Sequence, residues 1–184
     1  MKATGIVRRI DDLGRVVIPK EIRRTQRIRE GDPLEIFTTG EGEVIFKKYS
    51  PMGELLSQAE HYSEVLQKTL GYTTLVCDRD TIICAAGAAK RDFVEKRVSI
   101  PLEKIMAGRK CFYHNGKPDE SIFPCEGTAK QIMIACPIVD AGDVAGAIML
   151  VSEDKKEQPD EEVQKILQIA AAFLAKQLEG GDEA

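Results

Sequence analysis

The sequence has few of the residues that carry catalysis or bind metals. Its 184 residues include two histidines, His61 and His114, and no tryptophan. It contains neither a glycine-rich phosphate loop nor the Gly-x-Ser-x-Gly motif of serine hydrolases. His114, Cys111 and Cys125 leave a metal site or a Cys/His nucleophile as alternatives, although their spacing lacks paired zinc ligands and an evident fourth ligand. We therefore expect no enzyme, no catalytic residue, no metal and no cofactor.

Cysteine usage and the lack of long apolar runs indicate a cytoplasmic protein with no membrane partner. The five cysteines form no Cys-x-x-Cys pair, and the first residues show no apolar signal segment, so we expect reduced thiols. We interpret each cysteine as a small buried hydrophobic residue, with a thiol-based redox sensor as the minor alternative. The longest apolar runs, residues 132–139 and 144–151, are too short to cross a bilayer and predict buried strands.

Positive charge is concentrated at one end of the chain, although the whole chain carries a formal net charge of -4. Residues 1–29 hold nine Lys or Arg against three Asp or Glu, whereas residues 51–184 hold 15 against 22. Seven arginines lie within 22 residues of the basic end, and a planar guanidinium binds phosphate or guanine edges through two hydrogen bonds. The pattern favours a polyanion partner for this end of the chain over a charged surface that only contacts solvent. Composition alone does not distinguish DNA from RNA or an anionic lipid as that partner.

The first 50 residues predict two strands, a short helix and a hairpin. Residues 5–10 and 15–18 suit strands joined by a turn, and Pro19 suits the first turn of a helix that ends near Thr25. Residues 34–38 and 44–49 then form a hairpin. Contiguous apolar residues in these strands need cover on both faces, and a unit of this size is near the lower limit for its own core. We therefore expect an intertwined dimer in which a partner chain completes a β-barrel.

The basic segment resembles a known DNA-binding family. Residues 13–19, Leu-Gly-Arg-Val-Val-Ile-Pro, and residues 21–24, Glu-Ile-Arg-Arg, closely resemble the AbrB-type swapped-hairpin domain, and the resemblance covers about residues 1–50. It implies a domain-swapped dimer in which basic residues of both chains contact double-stranded DNA. By position, it implies DNA contacts for Arg8, Arg15, Arg23 and Arg24, with Lys2 and Arg9 beside them as weaker candidates. It assigns no such contact to Arg27 or Arg29, for which we expect a surface role.

Residues 51–184 predict an antiparallel sheet accompanied by two long helices. Apolar stripes predict a helix over 54–70, which Gly71 ends, and another over 159–178. Hairpins are predicted over 72–86 and 132–151, mostly helical structure over 88–108 with an interruption at 99–101, and a polar loop over 108–130. Acidic residues at 78, 80, 140 and 143 lie in the hairpin turns, where aspartate is favoured for backbone reasons rather than for catalysis.

This second half resembles a GAF domain through residues 75–83, 136–139 and 144–150. The resemblance implies a small-molecule effector bound against one face of the sheet, with the loop over 108–130 as its lid. The side chains near that lid are Cys111, Phe112, Tyr113, His114, Phe123 and Cys125. The identity of the ligand is not indicated, and a degenerate pocket in a domain that only dimerises is the alternative.

The expected fold class is α+β. An N-terminal AbrB-like domain-swapped-hairpin β-barrel spans residues 1–50, a linker helix spans 51–71, and a GAF-like α/β sensor domain that ends in a dimerisation helix spans 72–184. The whole layout resembles the stage V sporulation protein T family, which implies a nucleoid-associated regulator, activator or repressor, of sporulation genes. Apolar stripes on the two long helices predict a second two-fold interface and hence a homotetramer. The alternative is an antitoxin-like or scaffold protein whose C-terminal half binds a protein partner.

Overall fold

The chain divides into two compact units, Met1–Tyr49 and Ser50–Ala184, and the computed structural model describes residues 5–154 and 156–179. The described part of the N-terminal unit contains one helix, α1 (Lys20–Gln26), and one antiparallel hairpin of β1 (Leu34–Thr38) and β2 (Val44–Lys48). Across both units, the helices that the structure describes include none with the length and apolar character of a membrane span.

The ends of α1 are set by the backbone. Pro19 precedes the helix, where its missing N–H costs no hydrogen bond. At the other end Arg27 has a left-handed φ of 53°, and its N–H bonds to the carbonyls of Arg23 and Arg24. The Lys48 ammonium donates to the Arg27 carbonyl oxygen at 2.8 Å, which joins the end of α1 to β2.

The strands expected over residues 5–10 and 15–18 are not formed in the single chain, so that prediction is wrong for the protomer alone. The turn between them does form: the Asp11 N–H donates to the Arg15 carbonyl and the Gly14 N–H to the Asp11 carbonyl, both at 3.0 Å. A strand needs a neighbour to satisfy its backbone N–H and C=O groups. The neighbour expected from the sequence belongs to a second chain, and the protomer therefore leaves the barrel open.

The C-terminal unit is built on a five-stranded antiparallel sheet in the order β4-β3-β7-β6-β5. Its strands are β3 (Thr73–Asp78), β4 (Ile82–Ala86), β5 (Phe112–Tyr113), β6 (Gln131–Asp140) and β7 (Asp143–Ser152). Its helices are α2 (Pro51–Glu54), α3 (Leu56–Leu70), α4 (Ile100–Ala107) and α5 (Glu161–Glu179).

Apolar side chains fill both faces of this sheet. On one face, Ile148 and Leu150 of β7 belong to a core shared with Leu167 of α5. On the other face, Met149 of the same strand packs in a second core with Leu102 of α4. Because successive side chains of a strand point to opposite faces, a strand covered on both sides reads as a continuous apolar run. The two apolar runs of the sequence are thus the buried strands β6 and β7, as predicted.

Two helix boundaries differ from the sequence-based expectations. Residues 99–101 are predicted to interrupt a helix, but they begin α4: the Ser99 hydroxyl accepts from the Leu102 N–H at 3.2 Å, and Pro101 lies in the first turn. Residues 88–98, which the sequence predicts to be mostly helical, contain one helical element, a 3-10 turn at Lys90–Asp92. The helix predicted over 54–70 is α3, separated from the short α2 by a break at Leu55.

Of the four aspartates expected to stabilise hairpin turns, Asp78 has that role in the structure. Oδ1 of Asp78 accepts hydrogen bonds from the backbone N–H groups of Asp80 at 2.8 Å and Thr81 at 2.7 Å. The turn between β6 and β7 is formed by Ala141 and Gly142, whose φ values of 45° and 89° are those of a two-residue hairpin turn. The Asp78 carboxylate therefore stabilises the turn between β3 and β4.

Candidate nucleic-acid interface

Three of the arginines assigned to DNA lie around the turn at residues 11–14. Arg8 and Arg9 belong to the extended segment before the turn, Arg15 follows it directly, and all three are exposed. Lys2, the remaining candidate of this segment, lies outside the described residues.

Asp11 orients Arg15. Nε of Arg15 donates to Oδ2 of Asp11 at 2.8 Å, while the backbone N–H groups of Arg15 and Leu13 donate to Oδ1 at 2.8 and 3.1 Å. Hydrogen bonds from Arg15, backbone first and then side chain, lower the pKa of Asp11 because they stabilise its charged form. The Arg15 side chain remains 70% exposed. The contact with Asp11 uses one of the five N–H groups of the guanidinium, so the others can bind a phosphate.

Arg23 and Arg24 are neighbours in the last turn of α1, where Arg23 is half-buried and Arg24 exposed. Cationic side chains are favoured at this end of a helix by the helix dipole. Arg27 forms the helix cap, and the backbone N–H of Arg29 donates to Oδ2 of Asp32 at 2.7 Å. Within one protomer the assigned arginines thus form two groups, one at the turn and one at the end of α1.

The apolar residues around these arginines have no core in the single chain. Among residues 5–49, Pro19 alone is buried. Large apolar side chains are exposed throughout this unit, including Val7 at 88%, Val17 at 72% and Ile36 at 61%. A unit of this kind needs further apolar cover to be stable.

The C-terminal unit contains a cavity of about 320 Å³ on the α4 side of the sheet. Ser99 and Pro101, at the start of α4, form one wall, and residues 121–123 and 125–128 of the long loop form the rest. Phe123 and Cys125, two of the side chains named from the sequence, line it. The polar residues that line it are Ser99, Ser121, Thr128 and Glu126, and each of the three hydroxyls also forms a hydrogen bond within the protein.

The expectation that residues 108–130 form one lid is wrong. Residues 112–113 are β5, the edge strand of the sheet. Cys111 and Tyr113 pack on the α5 side of the sheet, whereas Phe112 packs on the α4 side. His114 is buried, and its N–H donates to the Met133 carbonyl at 2.8 Å. An edge strand has to satisfy its backbone groups on the sheet, so only the later part of the segment borders the cavity.

The expectation of five reduced thiols is wrong for two cysteines. Cys111 and Cys136 form a disulfide, with their Cα atoms 4.3 Å apart. The other three cysteines are buried, and burial raises the pKa of Cys77, Cys84 and Cys125, as expected for small hydrophobic residues. In residues 5–154 and 156–179, no group of three or more His, Cys, Asp or Glu side chains could hold a metal ion.

The outer side of the two long helices carries exposed apolar side chains. Leu167 and Leu174 of α5 are fully buried in their own unit. Ile169 is 64% exposed and Phe173 42% exposed, and the Phe173 ring stacks on Tyr62 of α3 with centroids 5.0 Å apart. The residues available to a partner chain are therefore those flanking the predicted stripe rather than the stripe itself.

Comparisons with known proteins agree with the two-unit organisation. The sequence model described as "Stage V sporulation protein T C-terminal, transcription factor" matches residues 54–179, and that described as "Antidote-toxin recognition MazE, bacterial antitoxin" matches residues 7–53. Stage V sporulation protein T of Bacillus subtilis (strain 168) is 48% identical over 179 residues, which cover 97% of this chain and 99% of that protein. The transition state regulatory protein AbrB of the same organism is 61% identical over 51 residues, 28% of this chain and 52% of AbrB.

Among solved structures, the GAF domain of an Acinetobacter phosphoenolpyruvate-protein phosphotransferase matches with a TM-score of 0.58 and 8% identity, over 70% of this chain and 84% of that one. At this identity the match establishes the GAF fold and nothing about the ligand. The fold and the N-terminal sequence together define a transcription regulator with an AbrB-like DNA recognition domain followed by a GAF-like domain. The chain belongs to the stage V sporulation protein T family of transcription factors.

Proposed function

We propose that the protein regulates sporulation genes by binding double-stranded DNA through arginines that two chains present together. The observation that carries the proposal is the placement of Arg8, Arg9 and Arg15 at an exposed turn, with Arg23 and Arg24 at the end of α1, in a unit whose net charge is positive. Lys2 belongs to the same basic segment of the sequence. Acting on DNA implies a cytoplasmic, nucleoid-associated protein, and neither catalysis nor a cofactor enters this role.

The binding unit is a swapped-hairpin dimer. The exposed apolar side chains of the N-terminal unit, such as Val7 and Val17, support this assembly, since burying them against a second chain supplies the core that one chain lacks. Residues 5–10 and 15–18 then gain strand neighbours from the partner. The proposed domain limits are residues 1–50 for DNA binding and dimerisation and 72–184 for the sensor domain, joined by the helical segment 51–71, which packs within the C-terminal unit.

Phosphate contacts supply most of the DNA affinity. Arginine side chains at a turn and at a helix end can follow the phosphate backbone without entering a groove deeply. Sequence preference then depends in part on how easily a DNA site adopts the shape that the two-chain surface requires. Affinity should accordingly fall steeply as the salt concentration rises.

The C-terminal unit joins two dimers into a tetramer and carries the effector site. Ile169 and Phe173, on the outer side of α5, support a second interface separate from the swapped barrel. The cavity beside α4 has the size and the mostly apolar lining of a small-ligand site. A ligand bound there would shift DNA affinity only by binding two arrangements of the assembly unequally.

An antitoxin-like scaffold is the alternative function. It would use the C-terminal half to grip a protein partner, which suits a segment without a fold of its own. The ordered five-stranded sheet of residues 73–152 favours a sensor domain instead.

The test is a gel-shift titration of the full chain against genomic DNA fragments, comparing wild type with a double variant carrying Arg23→Ala and Arg24→Ala. We expect the double variant to lose at least about tenfold in affinity, because an assembled dimer would lose four cationic side chains at once. Arg91→Ala is the control for losing a positive charge elsewhere, since Arg91 is 90% exposed and lies in the C-terminal unit. Equal binding by the wild type and the double variant, with its dimer intact by light scattering, would contradict the proposal.

A further inference from the structure

The disulfide lies across two neighbouring strands. Phe112 of β5 pairs with Ala135 of β6, and this antiparallel register places Cys111 directly opposite Cys136. The two cysteines are 25 residues apart in the sequence and meet because β5 returns to the edge of the sheet. The bond therefore ties the start of β5 to a strand of the sheet interior.

The two sulfur atoms differ in accessibility. Cys136 is 0% exposed within the core on the α5 side of the sheet, whereas Cys111 is only partly buried. Cys111 also borders a second cavity, of about 230 Å³, which Pro137 and Val139 of β6 and Gln168 of α5 line together with three alanines of α5. A small molecule that enters this cavity therefore lies beside Cys111, whereas Cys136 is enclosed by its neighbours.

The remaining cysteines offer no comparable site. Cys77, Cys84 and Cys125 are buried, and the pKa of each is raised by burial, which disfavours the reactive thiolate. A transcription regulator also acts where the DNA is, in a compartment whose reductants keep most thiols reduced. Disulfides that form in such a compartment are usually transient and serve catalysis or redox sensing.

We propose that Cys111 and Cys136 form a reversible redox pair, oxidised by a peroxide and reduced by a low-molecular-weight thiol, that controls how firmly the β5 edge strand is held. Cys111 is the residue that reacts with both reagents, and Cys136 is the resolving thiol. The pair adds a redox input to the C-terminal unit that does not depend on how the arginines contact DNA.

The oxidation balances with a peroxide as the two-electron oxidant. The Cys111 thiolate attacks one peroxide oxygen, an S–O bond forms, the O–O bond breaks, and the leaving hydroxide takes up a proton to give water when the oxidant is hydrogen peroxide. The Cys136 thiol then attacks the Cys111 sulfur, loses its proton and forms the S–S bond, while the S–O bond breaks and a second water leaves.

Reduction uses two molecules of the small thiol. The first, as a thiolate, attacks Cys111 and forms a mixed disulfide, and Cys136 leaves as a thiolate that takes up a proton. The second attacks the sulfur of the bound small thiol, which releases Cys111 as a thiolate and leaves the small thiol as its own disulfide. Because Cys111 is only partly buried, we expect this attack to be possible, and the cavity beside it gives the small thiol room.

Reduction of the disulfide affects β5, which few other contacts hold in place. β5 contains two residues, and besides its pairing with β6 it is held by the His114 N–H on the Met133 carbonyl and by a 2.5 Å hydrogen bond from Gln168 of α5 to the Tyr113 hydroxyl. Reduction removes the covalent link next to these contacts. The segment then opens more often, and through Gln168 the change reaches α5, the helix that carries Ile169 and Phe173.

The full-length protein tests the pair without any DNA. After reduction with dithiothreitol and its removal, one sample receives hydrogen peroxide and another receives buffer. Differential alkylation and peptide mass spectrometry then report the state of each cysteine, and hydrogen exchange reports residues 108–114. We expect peroxide to join Cys111 to Cys136, dithiothreitol or glutathione to separate them again, and exchange to be at least about tenfold faster in the reduced form.

Two variants control the experiment. Cys111→Ser should exchange like the reduced wild type with or without peroxide, while Cys84→Ser should behave like the wild type in both states, because Cys84 lies in the core beside Ser63 and outside the pair. A pair that resists glutathione in the native protein, or that peroxide does not oxidise, would overturn the proposal. The proposal would also be overturned if the pair is oxidised and reduced as expected but hydrogen exchange at residues 108–114 does not change. This comparison uses wild-type samples only, so a misfolded variant cannot affect it.

Discussion

The replacement Arg15→Ala gives the sharpest test of the proposed DNA surface. Asp11 fixes the guanidinium through Nε, and 70% of the side chain remains exposed, so the substitution removes an oriented cation and buries nothing. The turn keeps the hydrogen bonds of the Arg15 main chain, whose carbonyl accepts from the Asp11 N–H and whose N–H donates to Oδ1 of Asp11. We therefore expect the N-terminal unit to fold and assemble as before.

The size of the effect follows from counterion release. A dimer carries two copies of Arg15, and each phosphate contact contributes about 0.9 to the slope of log affinity against log salt, so the slope should lose about 1.8. With equal affinities of wild type and variant at about 1 M salt as the reference, this slope difference makes the variant bind about 60-fold more weakly at 0.1 M salt and about 20-fold more weakly at 0.2 M salt. The loss should therefore shrink as salt rises, which distinguishes a missing phosphate contact from damage to the fold.

The assay is a fluorescence-anisotropy titration of a labelled DNA duplex between about 50 and 200 mM salt, the range over which such contacts change affinity strongly. Arg91→Ala removes the same charge from the C-terminal unit and should keep the wild-type slope. A wild-type slope for Arg15→Ala would remove Arg15 from the DNA surface. An equal change in both variants would show that net charge, rather than position, sets the affinity.

Three further predictions follow from the same structure. The pKa of the Asp11 carboxyl, measured by NMR titration, should lie below its ordinary range, and Arg15→Ala should move it back toward that range because the side-chain hydrogen bond is lost. The carboxylate should therefore stabilise the turn at pH values above its ordinary pKa, and this stabilisation should be lost as the pH falls through the lowered pKa. Ile169→Asp, at a position that is 64% exposed, should leave the C-terminal unit folded but halve the mass of the assembly by light scattering. Leu167→Asp, at a fully buried position, should instead lower the free energy of unfolding of the unit by at least about 3 kcal/mol. The melting temperature of the N-terminal unit should rise with protein concentration, because its core is shared between chains.

Each has a result that would count against it. An unchanged Asp11 titration in Arg15→Ala would mean that its backbone hydrogen bonds alone lower the pKa. A wild type that already has the mass of a dimer would remove the tetramer, and an Ile169→Asp variant that keeps the tetramer mass would place the second interface elsewhere. A melt that does not depend on concentration, with the mass of a monomer, would refute the swapped barrel.

Much of the fold could be predicted because the signals are local. Pro19 and the residues after it specify α1 through the backbone preferences of a helix start, and Gly71 ends α3 with a φ of 79°. The Ala141-Gly142 turn and the apolar runs on either side of it predict the β6–β7 hairpin. The Leu-Gly-Arg-Val-Val-Ile-Pro run likewise carries the family resemblance within one short segment, and with it the identity of the arginines to test.

What the tertiary structure decided concerns contacts between distant residues. The strands expected at 5–10 and 15–18 need a partner that the single chain does not contain, because a strand is stabilised by its neighbour rather than by its own sequence. An apolar stripe in the sequence likewise does not show which of its side chains the domain itself will cover. In the structure Leu167 is buried by the sheet, whereas Ile169 remains at the surface. Cys111 and Cys136 meet only through the register of β5 on β6, since nothing local in the sequence specifies which residues of two distant strands lie opposite each other.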